Sequence, residues 1–418
     1  MTVSAALANR RIFLTGHTGF TGSWLGAWLS AIGCEVTGYS LEPETDPNLF
    51  GILGEGATYT RSIIGDIRDY PSLREALEAA QPELVMHLAA QPLVRRSYRD
   101  PLETFSSNAM GTANVLEASR GCGSVKAFVC VTTDKVYENV ERPEPYSEAD
   151  RLGGKDPYSA SKACAEIITR SYQETLADLG NGMRIATARG GNIIGGGDWS
   201  EDRIVPDFYR AATDGTTLSI RNPDSIRPWQ HVLSACHGYL AIAAHLLTSD
   251  AARNESWNIG PADPEAVTVR QLVDMLSRHS KAPAIDFGSS PLKEANLLAL
   301  DVGKARRELG FAPPWNTEEV IARTAGWYAA YYADPDAGRA ITLDQLRNYR
   351  IAIGDIEGEI EDEGDHPGRR PRHAIVRGNA PQAEADGRDR RQADPLARDE
   401  DLREPRRHGL HHLPWLSR

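Results

Sequence analysis

The sequence predicts an α/β fold: a doubly wound parallel sheet with helices on both faces, a smaller interleaved C-terminal part, and a disordered C-terminal tail. Three observations lead there. Short apolar runs of strand length alternate with helical patterns through the first 190 residues, as a parallel sheet built from crossover units requires. A glycine-rich turn, Gly16-His17-Thr18-Gly19-Phe20-Thr21-Gly22, follows the first run. Residues 355–418 change character: 15 acidic residues, 12 arginines and no lysine, with five histidines and six prolines, a composition poor in core-forming side chains.

Taken in order, residues 11–15 (RIFLT) read as a buried strand, and the pattern through Trp24 and Leu29 as the helix after the glycine turn. Residues 35–40 (EVTGYS) form a second strand, 72–80 a helix and 83–88 (ELVMHL) the next strand. Another strand spans 125–132 around Phe128, Val129 and Val131, and a further one 184–189. Beyond Gly190 short elements are separated by loops rich in Gly, Pro, Asp and Asn, such as 195–198 and 221–228, which suits a small part covering a substrate. Helices resume at 268–278 and 317–332, and periodicity fades beyond Tyr349. The expected division is a nucleotide-binding Rossmann-like part over 8–190, rejoined by about 228–260, a mainly substrate-binding part over 191–350, and a tail over 355–418.

Composition narrows the function. With 418 residues, 41% hydrophobic and 25% charged, the chain has material for a sizeable soluble core. A net charge of −12 argues against a general nucleic-acid or anionic-membrane surface, while leaving room for local basic pockets. Cys34, Cys122, Cys130, Cys164 and Cys236 are odd in number and contain no CxxC pair, so neither a disulfide framework nor a zinc site is expected, and no metal is assigned. No apolar core of signal-peptide length opens the chain and no run reaches membrane-spanning length, so a soluble cytoplasmic protein is expected.

Gly16, Gly19 and Gly22 allow a sharp turn, a close approach to a pyrophosphate and tight packing of the next helix, whose N–H groups then face the anion. Thr18, Phe20 and Thr21 belong to the same cradle. The second strand ends in Tyr39-Ser40 without a carboxylate for the adenosine ribose, which leaves NAD against NADP open. Asp66 and Ile67 of the Gly65-Asp66-Ile67 turn could reach the adenine edge, and Leu88, Ala89 and Ala90 provide small residues where a cofactor must pass.

Chemistry is expected at two places. Tyr158 and Lys162 lie four residues apart at a helix start, so phenol and ammonium share one face and the cation can ease loss of the phenol proton. Thr133, at the end of an apolar strand, could bond the same substrate oxygen as Tyr158. Asp134 and Lys135 follow it, an acid/base pair that a simple hydride-transfer enzyme does not need.

These motifs resemble the extended short-chain dehydrogenase/reductase family that acts on nucleotide sugars, and within it the CDP-glucose 4,6-dehydratase branch. The resemblance rests on GHTGFTGSWL (16–25), TTDKVYEN (132–139), GGKDPYSASKACAE (153–166), ARGGNIIGGGDWSEDRIVPD (188–207), IRPWQHVLS (226–234), WNIGP (257–261) and EANLLALD (294–301), and covers about residues 11–349. Thr21 stands where the family usually has lysine, and Lys293 where a histidine is expected. The resemblance implies NAD as cofactor, CDP-glucose as substrate, and a homodimer or homotetramer, with helices around 108–119 and 157–175 as the place to look for the interface. It adds Asn108 and Thr132 to the cofactor set.

In the implied reaction Tyr158, with Lys162 and Thr133, removes the C4 hydroxyl proton as C4 is oxidised. Lys135 is then the candidate base at C5 and Asp134 the candidate acid at the C6 hydroxyl. Gln91, Asn192, Arg203, Arg221 and Arg227 are candidate substrate ligands, the arginines as donors to a diphosphate, with Trp229 or Trp199 as apolar surface. An epimerase or decarboxylase of the same fold would share the glycine turn and YxxxK but has no use for Asp134-Lys135. A non-catalytic cofactor-sensing protein could dispense with Tyr158 and Lys162.

Overall fold

A computed structural model of the chain describes residues 2–179, 182–249, 254–261, 267–288 and 298–359. Strands β1 (Arg11–Thr15), β2 (Glu35–Ser40), β3 (Arg61–Ile64), β4 (Leu84–His87), β5 (Ala127–Val131) and β6 (Arg184–Gly190) join Glu255–Ile259 in one seven-stranded sheet. Its order is Glu255–Ile259, β6, β5, β4, β1, β2, β3, and every pairing is parallel. The fold is the doubly wound, Rossmann-like one. Strands 83–88 and 125–132 of the sequence reading are trimmed at their ends to β4 and β5.

Alternate residues of one strand enter opposite cores, which is why these strands read as continuous apolar runs. Ile12 and Leu14 face a cluster with Trp24, Trp28, Leu233 and Leu240 from the helices Phe20–Ala31 and Val232–Thr248. Phe13 faces the other side, with Leu73 and Leu77 of the helix Tyr70–Ala80, and Val115 and Leu116 of Gly111–Gly121. Tyr70–Ala80 begins where Asp69 accepts from the Ser72 N–H, with proline in the first turn. The helices Val269–His279 and Thr317–Ala333 start with capping boxes, Thr268 with Gln271 and Asn316 with Glu319.

The strand order reverses between β1 and β4, and that opens a crevice at their C-terminal ends. Thr15 props it: its hydroxyl lies 2.8 Å from His87 Nδ1 and accepts from the Leu88 and Ala89 N–H groups, each at 3.2 Å. Outside the sheet, Thr217–Ile220 pairs with Ala284–Phe287, Ile193–Ile194 with Gln230–His231, and Ile226–Arg227 with Val267–Thr268. Residues of the stretch between 190 and 230 that these pieces join line one cavity with Leu88 and Ala90 at the crevice.

The helix Ala337–Ala352 follows, and the chain then turns through Asp355. Asp355 is buried and accepts from Ser4 N (2.9 Å), Ser4 Oγ (2.5 Å) and Arg350 Nε (3.0 Å). The residue expected to open the tail therefore clamps the two ends of the folded part. Residues 360–418, most of that tail, lie outside the described residues. Among the described residues no helix is long and apolar enough to cross a membrane, and all five cysteines are free thiols.

Candidate active site

The glycine turn is built by exclusion of side chains. Gly16 has φ +78°, and a Cβ there would lie 2.7 Å from Ala89 N, while a Cβ on Gly22 would overlap the Gly16 carbonyl. The helix Phe20–Ala31 starts at Gly19 with no side-chain cap, so its first N–H groups are left to an anion. Thr18 Oγ1 donates to the Leu41 carbonyl (2.8 Å) with Ser40 Oγ 3.0 Å away, tying the turn to the end of β2. Thr21, Leu88 and Ala90 reach the large cavity beyond the turn. This cradle fits a dinucleotide: bare backbone faces the position where a pyrophosphate would lie.

Other expected cofactor residues hold the walls. Asp66 is forked by Arg68 at 2.6–3.0 Å, and this partner holds its carboxyl below the usual range. Ile67 is buried against Gly111, where a Cβ would meet its Cδ1 at 2.5 Å. Asn108 spends its amide on Gln91 N (2.8 Å), Gln91 O (3.0 Å) and Ser161 Oγ (2.9 Å). Gln91, expected on the substrate, is buried instead. Its Nε2 donates to Thr104 Oγ1 (2.9 Å) and its Oε1 accepts from Leu93 N (2.6 Å), so the side chain braces its own loop and does not line the cavity.

The expected chemical residues meet in one cavity of about 1240 Å³, lined by Thr133, Asp134, Lys135, Tyr158 and Lys162 with Asn192, Arg203, Arg221, Arg227 and Trp229. Thr133 caps a short turn, Asp134–Val136, that follows β5. Tyr158 and Lys162 lie in the first turns of the helix Pro157–Leu179, where Asp156 accepts from Ser159 N (2.9 Å) and Oγ (2.5 Å). Ser97 Oγ accepts from Tyr158 N at 3.1 Å.

Burial pushes the Tyr158 phenol up to about 12, opposed by a hydrogen bond with Thr133 and by the charge of Arg203. Lys162 Nζ donates to the Val131 carbonyl at 3.2 Å. Burial pulls Lys162 below the ordinary lysine range. Asp134 Oδ1 accepts from Thr133 Oγ1 (2.9 Å) and Lys135 Nζ (3.0 Å), while its Oδ2 is buried without a partner. Gly191 makes room for this carboxylate, since a Cβ there would overlap it.

Behind the Thr133–Val136 turn lies a buried ionic network that the sequence reading did not anticipate. Glu166 accepts from Thr132 Oγ1 (2.5 Å), Thr187 Oγ1 (2.9 Å) and Arg189 Nη2 (2.7 Å). Arg189 Nη1 donates in turn to Tyr137 Oη (3.0 Å), which donates to Asn258 Oδ1 (2.6 Å). Thr132 and Tyr137 bracket Thr133–Val136, so the network grips this turn at both ends. Thr132, expected on the cofactor, is thus a buried brace. Glu166 sits four residues after Lys162 on the same helix face, the spacing that could have revealed it.

On the substrate side Arg203 Nη1 lies 3.4 Å from Asp198, and Asp202 joins Arg221 (3.3 Å) to Arg95 (2.6 Å). Arg227 Nη1 donates to the Ile226 carbonyl at 2.9 Å. Arg95 is a cavity cation that the sequence reading missed, because a short arginine-bearing helix reads as a solvated face. Asn192 takes φ +52° and leaves a buried Oδ1 unpartnered. Trp229 lines the cavity and donates to the Val267 carbonyl at 3.2 Å. Trp199 packs instead among Trp327, Tyr328 and Tyr331 and borders a separate cavity. Tyr239, also missed, puts a fully buried and unpartnered hydroxyl on the cavity shared by Tyr158 and Asp134.

The family model described as GDP-mannose 4,6 dehydratase matches residues 13–324. The CDP-glucose 4,6-dehydratase of Salmonella typhimurium is 43% identical over 333 residues, which cover 78% of this chain and 92% of that protein. The dTDP-glucose 4,6-dehydratase of Streptomyces antibioticus is 30% identical, covering 76% and 92%. Among solved structures, DesIV, a dTDP-glucose 4,6-dehydratase from Streptomyces venezuelae with NAD bound, superposes with a TM-score of 0.67 at 25% identity, covering 79% of this chain and 99% of that one. MoeE5 in complex with UDP-glucuronic acid and NAD gives 0.65 at 25% identity, covering 76% and 98%. The chain therefore belongs to the GDP-mannose 4,6-dehydratase family, the nucleotide-sugar dehydratases of the extended short-chain dehydrogenase/reductase group.

Proposed function

We propose that this protein is a lyase that converts CDP-glucose to CDP-4-keto-6-deoxyglucose and water, with NAD in the cradle of Gly16, Gly19 and Gly22. The observation that carries the reading is the meeting of Asp134 and Lys135 with Thr133, Tyr158 and Lys162 in one cavity. Tyr158 and Lys162 serve oxidation at C4; only removal of water calls for the further acid and base.

When bound, NAD supplies the hydride acceptor for C4 and the donor for C6. Tyr158, which lines the cavity with Thr133, takes the C4 hydroxyl proton. A ketone at C4 acidifies C5, where Lys135 removes the proton, and Asp134 protonates the C6 hydroxyl as it departs. Lys135 then returns its proton to C5. The diphosphate is assigned to Arg203, Arg221 and Arg227, with Arg95 completing the cationic rim. The preference for CDP rests on the 43% identity to the CDP-glucose enzyme of Salmonella typhimurium.

We place the enzyme in the cytoplasm, consistent with its free thiols, and infer a homodimer. The turn Ser106–Met110 packs on the helix Pro157–Leu179, and the two expose Met110 (58%) and Ile167 (58%). The direct test is product mass after incubation with CDP-glucose and, separately, dTDP-glucose. Loss of one water from CDP-glucose in preference to dTDP-glucose is expected; an isomer of unchanged mass would mark an epimerase.

A further inference from the structure

Arginines brought together at a cavity wall repel one another unless an anion joins them. Arg95, on the short helix Val94–Arg99, and Arg221, just after the strand Thr217–Ile220, come from distant parts of the chain and line the same cavity. Asp202 joins them. Its Oδ1 accepts from Arg95 Nη1 at 2.6 Å and from Arg221 Nη1 at 3.3 Å.

Asp202 holds the two arginines, and little else holds Asp202. Among the described contacts its carboxylate bonds to these arginines alone, whereas the neighbouring Asp198 is pinned by Ser200 N (2.9 Å) and Ser200 Oγ (2.7 Å). The Asp202 side chain is 23% exposed, so it can turn to water. The helix carrying Arg95 is anchored, since Ser97 Oγ accepts from Tyr158 N at 3.1 Å, and a change of partner at Arg95 falls to side chains. A guanidinium has five N–H groups, and Asp202 engages one nitrogen of each arginine. A diphosphate offers oxygens on two phosphorus atoms and is gripped by guanidinium forks. It therefore makes more bonds to this pair than one carboxylate oxygen can.

We propose that Asp202 is an internal stand-in for the substrate's diphosphate, an inference that rests on the reading of the cavity as a nucleotide-sugar site. Before substrate binds, its carboxylate offsets the charges of Arg95 and Arg221 and keeps both at the cavity wall. The diphosphate then takes the two guanidinium groups, and Asp202 turns outward to water. No covalent bond changes in the exchange. Breaking the two ion pairs weakens the binding of any nucleoside diphosphate, whichever base it carries, and leaves a nucleoside without phosphate unaffected.

The test measures binding to the NAD-loaded protein by calorimetry, with CDP and dTDP titrated directly and cytidine by competition. Asp202→Asn keeps the side-chain shape, removes the charge and suits the φ of +58° at this residue. It is expected to tighten CDP about three- to thirtyfold, the worth of two partly exposed ion pairs, and to leave cytidine within about twofold. In the Arg95→Gln, Arg221→Gln protein the same substitution is expected to tighten CDP by less than about twofold, because no ion pair remains to be broken.

Unchanged or weaker CDP binding by Asp202→Asn would overturn the stand-in and leave Asp202 as a residue that only positions the arginines. An equal gain for cytidine, or a gain that survives removal of both arginines, would overturn it as well. A wild-type protein that binds neither CDP nor dTDP would overturn the nucleotide-sugar reading itself, and the stand-in with it. If Asp202→Asn does not fold, as judged by circular dichroism, Asp202→Gly takes its place, since glycine adopts a φ of +58° without strain, and the same outcomes decide.

Discussion

Lys135, proposed as the base at C5, is the residue whose chemistry would separate dehydration from plain oxidation. It is partly exposed at the cavity wall, with Nζ 3.0 Å from Asp134 Oδ1, so Lys135→Met should disturb folding little. Product formation is expected to fall about 100- to 10,000-fold, the usual cost of a lost general base, with NAD content unchanged. Chromatographic quantification of product and extracted cofactor measures both; undiminished dehydration would refute the assignment. That Thr133, Asp134, Lys135, Tyr158 and Lys162 share one cavity was legible in the sequence, because their spacing encodes one helix face and one strand end. Gln91 and Asn108 were not legible in the same way, since which amide faces a ligand and which braces its own loop depends on Thr104, Leu93 and Ser161. Tyr239 looked like core because it sits in an apolar helix, and only its unpartnered hydroxyl distinguishes it.

At the level of elements, strands and helices were readable where they bury one stripe or lie between two cores. β3 was missed because Arg61–Ile64 is a sheet edge with no fully buried residue, so it has no apolar run. The helix Val232–Thr248 was missed for the opposite reason: it is buried on nearly every side and shows no amphipathic stripe. The strand Glu255–Ile259 depends on its long-range partner β6. The surface formed by Ser106–Met110 and the helix Pro157–Leu179 bears on assembly. If a second copy covers Met110 and Ile167, the double substitution Met110→Glu, Ile167→Glu should convert a dimer to monomers in analytical ultracentrifugation. A wild-type monomer at micromolar concentration, or a variant that stays dimeric, would contradict the inferred homodimer.

At the scale of the whole molecule, four histidines among the described residues are buried, where burial favours the neutral form. Burial pulls His87 and His231 down to about 3, and His17 and His237 down to about 4. The unfolded chain takes up these protons near pH 6.5 while the folded chain refuses them until about pH 3 to 4, so acid favours unfolding throughout that window. Above pH 6.5 these groups cost nothing; below it each removes up to about 1.4 kcal/mol per pH unit. Tm is therefore expected to fall between about pH 6.5 and 4, and a Tm unchanged from pH 7 to 5 in differential scanning calorimetry would contradict it. The opening prediction of an α/β core with a compositionally distinct C-terminal stretch was legible from alternation and composition. The clamp at Asp355 was not, because its partners Ser4 and Arg350 come from opposite ends of the folded part. The central claim, that one cavity oxidises C4 and dehydrates across C5 and C6, is tested most directly by the fate of hydrogen from C4. With CDP-[4-²H]glucose, mass spectrometry and NMR of the product should place deuterium on the C6 methyl group, and deuterium retained at C4 or lost to solvent would contradict it.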